Sequence, residues 1–306
     1  MSIAYIVQMS LNASVVCALY GLLAVAYVLV HGITRRVNLA FGALSVWAGY
    51  LAIDSVTGLM IRNPALELLP LAGGIAIAIL GTVALGMAIE RTVVRPLVHA
   101  SSLGMLVATL GLAIVLEEGM RLLHASSESW LIPILKEPIV LDAEAGLQTS
   151  PMQLGLVVAS LTLAAMLILG VRRLPFGRRW RAVSQDPAMA ELCGIDVGRT
   201  LAATFVLASL YAGAAGALSA VHYGQASYYS CLMIGLKTLF IAVVGGLDSV
   251  AGAFLAAMLV GIAETFWSGY MSEEHRDVLS LLALSWLMIL FPSGLMAGSA
   301  ARQQQP

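Results

Sequence analysis

Four acidic residues, Asp54, Glu117, Glu118 and Glu264, sit inside long apolar runs of this chain. A carboxylate at membrane depth is costly unless it meets a cation, water or a solute, so each is a functional candidate. Glu117 and Glu118 are the pair best placed to meet a solute's charged group. All four fall towards the ends of their runs, where reaching water is cheap, and that ordinary role competes. A second group is Asn38-Leu39-Ala40-Phe41-Gly42, which opens an apolar run after Gly32 and Arg35-Arg36. It suits a helix N-terminus that lines a polar path; a plain helix start after a turn accounts for it equally well. The third group lies between Arg172 and Arg199, a basic stretch punctuated by Pro and Gly. Within it Asp186 can cap a helix and Pro187 suits the first helical position. Ala188-Met189-Ala190-Glu191-Leu192 favours helix, and Gly194 suits a left-handed stop. Two turns of helix do not stand alone in water. A short capped helix in a basic loop has the form of a docking element for a partner. The plainer alternative is a polar loop with one incidental turn.

Motifs that would give the chain chemistry of its own are missing. The only lysines are Lys136 and Lys237, and Gly235-Leu236-Lys237-Thr238 lacks the glycine spacing of a phosphate-binding loop. Any ATP-driven transport must therefore hydrolyse its ATP on another chain. Neither a G-x-S-x-G elbow nor an H-E-x-x-H site occurs, which leaves a membrane hydrolase little support. Cys17, Cys193 and Cys231 stand apart, so no metal site or disulfide is expected.

The elements that must position these residues are membrane helices. Of 306 residues, 60% are hydrophobic and 11% charged, against about a quarter charged in soluble domains. The net charge of −1 argues against nucleic acid as a partner. Apolar runs of the length needed to cross about 30 Å of hydrocarbon lie near 8–30, 39–60, 68–90, 103–123, 152–171, 200–222 and 279–293. The longer run 232–268 is broken at Gly245-Gly246-Leu247-Asp248-Ser249 and reads as two helices. The expectation is an all-α, polytopic transmembrane bundle forming one domain over 1–306. It makes about nine crossings, or eight if one piece is a half-span. Eleven of the 16 Lys and Arg residues fall in alternate connections that include 172–199 and the tail, which places those in the cytoplasm and the N-terminus outside. The connection 124–150 is then external, acidic and stiffened by Pro133 and Pro138. Trp267, Tyr270, Tyr223, Tyr228 and Tyr229 suit an interfacial belt. Ala208, Ala212, Gly216 and Ala220 form a smooth stripe every four residues, and Gly252, Ala256 and Val260 a second; both suit close helix contact.

These pieces together resemble the branched-chain amino acid permease family of ATP-binding-cassette importers, in particular the shorter of its two membrane subunits. The likeness rests on Gly32 with Val37 to Leu44, Glu90-Arg91 with Arg95-Pro96-Leu97, Leu106 to Leu112, Arg181-Ala182-Val183 with Asp186 and Gly194-Ile195-Asp196, and Val244 to Ser249. The resemblance implies a second, related permease subunit, two cytoplasmic ATPase subunits that hold ATP and Mg, and a periplasmic solute-binding protein. It implies residence in the bacterial inner membrane and no cofactor on this chain. It places the ATPase contact at 172–199, with Arg181, Asp186, Pro187, Met189, Glu191, Gly194 and Asp196 as coupling residues. Candidates for the translocation path are Asn38, Phe41, Gly42, Thr109, Gly111, Gly245 and Gly246. The expected solute is a branched-chain or related hydrophobic or small polar amino acid; urea, amides or simple sugars are the neighbouring alternative, and a self-sufficient secondary transporter the more distant one. Two departures stand out. Arg35-Arg36 charge a turn that is usually less charged in such proteins, which speaks against a membrane-embedded turn. Phe291 stands before Pro292 where a basic residue is common, which weakens the anchoring of the tail.

Overall fold

The computed structural model describes residues 3–62, 68–98, 101–124, 129–131, 139–142, 147–270, 276–290 and 294. Its centre is α1 (Ile3–Thr34), whose stretch from Leu22 to Val30 is at most 5% exposed on any face. A helix apolar all round has no solvent side and belongs inside, which is why α1 shows no amphipathic stripe. Around it run α2 (Ala40–Arg62), α3 (Leu68–Leu97), α4 (Ser102–Leu123), α5 (Pro151–Arg173), α8 (Val197–Tyr223), α9 (Ser230–Gly245), α10 (Val250–Tyr270) and α11 (Arg276–Leu290). Two short helices, α6 (Pro175–Gln185) and α7 (Pro187–Leu192), join α5 to α8.

Seven of these helices are long and apolar enough to cross a membrane. The run 232–268 is divided as its sequence suggests, with the break at Gly246, whose φ of 101° is open to glycine and little else. The 16 residues of α9 reach only about 24 Å, short of the hydrocarbon layer. The first small-residue stripe makes a close helix contact, and Gly252, Ala256 and Val260 of the second are buried. A Cβ on Gly216 would overlap the Ser45 carbonyl, so α8 and α2 meet backbone to backbone, and α10 lays Gly261 against Cys17 of α1. Late in α3, residues Glu90–Val94 form a π-turn.

Among the described residues, short strands occur only in the connections. β1 (Ser129–Trp130) pairs antiparallel with β4 (Gln225–Ala226), and β2 (Ile139–Asp142) with β3 (Leu147–Thr149). Within 124–150, the residues Glu128, Pro133, Lys136, Glu137, Pro138 and Glu144 lie outside the described residues, as do Phe291 to Ser293 and Arg302. One belt residue is placed otherwise than expected. Tyr228 is 4% exposed and packs in the core, while Tyr223, Tyr229, Tyr270 and Trp267 keep open surface.

Candidate functional site

At the arginine-rich end, α6 and α7 form a pinned arm with an open tip. Trp180 of α6 is buried over Gly32 and donates its indole N–H to the Leu29 carbonyl at 3.0 Å. Arg181 turns back to the Val171 carbonyl of α5. The caps of α7 follow the sequence. Asp186 Oδ1 accepts from the Ala188 and Met189 amides at 3.0 and 3.1 Å, and Pro187 fills the first position. Gly194, at φ 80°, closes the C-terminus while its amide and that of Ile195 reach the Glu191 and Ala190 carbonyls. Asp196 then caps α8 through the Arg199 amide at 2.8 Å. Of the expected coupling residues, Asp186, Gly194 and Asp196 are thus spent on shaping the arm, and Arg181 on tying it down. Pro187, Met189 and Glu191 remain outward. Leu192, 83% exposed beside Met189, completes an apolar tip that the sequence reading passed over. So was α6 itself; Pro175 ahead of an amphipathic run was the signal for it.

Directly above this arm the chain between α1 and α2 folds back into the bundle. Asn38 is 6% exposed; its amide meets the Tyr27 hydroxyl at 3.3 Å and its Oδ1 caps α2 through the Ala40 amide at 3.0 Å. The Leu39 amide donates to Thr109 Oγ1, well inside α4. Phe41 packs edge-on to Tyr27, and a Cβ on Gly42 would overlap the α9 backbone at Cys231 and Gly235. The turn is therefore embedded, against the expectation from its two arginines. Arg35 is carried at the bottom of the turn, at φ 52°, and reaches away from the core. Its guanidinium donates to the Ser184 carbonyl of α6 at 2.8 Å and to Asp248, between α9 and α10, at 2.6 Å. One side chain thus joins the arm, the embedded turn and the α9–α10 break.

Towards the opposite end lies a cavity of about 770 Å³ between α1, α2, α8, α9, α10 and α11. Lys237 of α9 and Glu264 of α10 meet across its wall at 2.8 Å, both buried. Asp277 and Arg276 of α11 join them, at 2.8 Å from Lys237 and 3.1 Å from Glu264. Glu264, expected among the charges that reach water near a helix end, is instead buried against Lys237 and the Tyr20 hydroxyl. The partners are 27 residues apart, and no local pattern joins them.

Four path candidates, Asn38, Phe41, Gly42 and Thr109, come together in the embedded turn. Gly245 packs on α10 at Ala253 and Gly246 makes the break, so both sit beside the Arg35 tie. Gly111 is apart, exposed on the outer side of α4. Glu117 and Glu118 also lie on α4 and do not line the cavity; Glu118 pairs with Arg121. Asp54 pairs with His124 at 3.0 Å.

An embedded helix start, a pinned arm with an apolar tip and seven helices long and apolar enough to cross a membrane define a polytopic helical membrane protein. Residues 9–291 match the model of the branched-chain amino acid transport system permease component, and the chain belongs to that family. It is 31% identical to the high-affinity branched-chain amino acid transport permease LivH of Escherichia coli K12 over 95% of this chain and 96% of that one. Its identity to BraD of Pseudomonas aeruginosa, of the same description, is 29% over 94% and 95%. A partial match, 31% over 46% of this chain and 32% of the relative, is to the E. coli permease LivM of the same kind of system.

Proposed function

We propose that this chain is a membrane-spanning permease subunit of an ATP-binding-cassette importer for branched-chain amino acids. Its full-length relatives carry that transport in their names, which favours amino acids over urea, amides or sugars. Its partners are a second, LivM-like permease subunit, two ATPase subunits that bring ATP and Mg, and a periplasmic solute-binding protein. It resides in the bacterial inner membrane, N-terminus outside and tail inside. The observation that carries the reading is the α7 tip. Met189 and Leu192, 60% and 83% exposed, stand on α7, directly after the helix that Trp180 locks to the core. Exposed apolar groups on a rigid mount are what a partner's socket needs.

The mechanism follows the ties. Closure of the ATPase pair pushes α7; α6 transmits the push as a rigid piece because Trp180 and Gly177 lock it against α1 and α5. Arg35 passes the movement to the embedded turn and to the α9–α10 break. The turn, whose hydrogen bonds to Tyr27 and Thr109 are long at 3.3 Å, is the element that moves to open the path. The test is reconstitution. The assembled complex with binding protein should take up leucine only with ATP, and this chain alone should take up none. Uptake by the chain alone would overturn the proposal.

A further inference from the structure

We infer that the cavity above the embedded turn is a solute chamber for a zwitterion with a hydrocarbon side chain. This rests on the transport reading above and names where the solute pauses. At about 770 Å³ the space is of the size that small-molecule sites have. Its floor is one helical turn above the path candidates: Leu23 stands over Tyr27, Val46 over Gly42, and Ile234 adjoins Gly235. It therefore lies on the line from the far end of the bundle to the Arg35 tie.

The walls differ in character. One side is aliphatic, with Val15, Leu19, Leu23 and Val46. The other carries two cations and two carboxylates: Lys237, Arg276, Glu264 and Asp277. Stability does not call for this cluster, because apolar residues of similar volume often replace buried ion pairs without loss. Lys237 and Glu264 are fixed, their side chains 5% and 4% exposed. Arg276 and Asp277 are 45% and 44% exposed and have room to turn toward a guest. A buried Ser268 hydroxyl on the same wall has no partner among the described residues. A zwitterion can offer its ammonium to Asp277 and its carboxylate to Arg276 while the cluster stays neutral. An anion or a cation makes only one of these two contacts and gives the neutral cluster a net charge. The aliphatic wall then takes the side chain.

The test uses the assembled complex in nanodiscs without the solute-binding protein, carrying Ser219→Cys in the cavity wall and Cys193→Ser to remove the exposed thiol. Cys17 and Cys231 are buried. Leucine should slow maleimide labelling of the new thiol. Isocaproate, which has only the carboxylate, and leucinamide, which has only the ammonium, should be weaker by about tenfold, the effect of one lost charge-assisted contact. Asp277→Asn should shift the preference towards isocaproate, and Arg276→Gln towards leucinamide. No labelling, no protection up to the solubility of leucine, or protection equal for all three probes and unmoved by both substitutions would each overturn the chamber. ATP-driven leucine uptake with the binding protein restored is measured on the same protein. Loss of that uptake in the unsubstituted complex overturns the transport reading itself; uptake without protection overturns only the chamber.

Discussion

Arg35 holds a left-handed backbone angle that glycine takes more easily, and its side chain explains why an arginine stands there. The pair with Asp248 is about half open to solvent on both sides, 51% and 67%, so its contribution to stability is small, about 0–1 kcal/mol. Its value lies in position. Arg35→Gly relieves the backbone while removing the tie, so the melting temperature of the complex should stay put. ATP hydrolysis should continue while leucine moved per ATP falls severalfold; unchanged stoichiometry in proteoliposomes would remove Arg35 from the coupling route. Lys237 is the opposite case. Lys237→Met strands Glu264, 4% exposed, with Arg276 and Tyr20 as its remaining partners. The expected loss is about 3 kcal/mol, at the low end for a broken buried pair because those partners remain. Adding Glu264→Gln should return most of it. Thermal denaturation of the two variants in detergent checks this, and equal losses would mean the pair is not coupled.

At the scale of elements, what the sequence made legible was whatever is decided locally. Asp186, Pro187 and Gly194 write both ends of α7 within nine positions, and the structure forms those caps. The α8 stripe was visible because a four-residue period is a helix property, whatever the partner. The embedded turn was hidden because its anchors, Tyr27 and Thr109, come from two other helices, and the two arginines beside it argued the other way. Likewise α6 looked like basic loop, since the groove that receives Trp180 is made by Gly32 on α1. The two parts of the arm should therefore fail differently. Trp180→Ala empties a buried site and should cost about 3–5 kcal/mol, with loss of assembled protein. Met189→Ser with Leu192→Ser changes open positions and should leave stability within about 0.5 kcal/mol. Yet it should abolish co-purification of the ATPase subunits. A double variant that still pulls them down would show the apolar tip is not the contact.

For the whole molecule, the arm and the chamber lie at opposite ends of one bundle. Along α8, Val197 at the arm and Ala215 at the chamber are separated by about 27 Å. This geometry asks for force applied at one membrane face and solute received at the other. On the proposed orientation the arm faces the cytoplasm, because Arg172 and Arg173 precede it, Arg178 and Arg179 lie on it, and basic connections favour that side. Single thiols on the Cys193→Ser background make the arrangement measurable. Ala188→Cys on α7 and Tyr270→Cys at the far end of α10 replace exposed residues. A membrane-impermeant maleimide should label Ala188→Cys only in inside-out vesicles and Tyr270→Cys only in right-side-out cells. Bound ATPase should shield the first and leave the second alone. Labelling of both from one side would mean the two ends do not face opposite compartments, and a push at α7 could then not open a path that begins across the membrane.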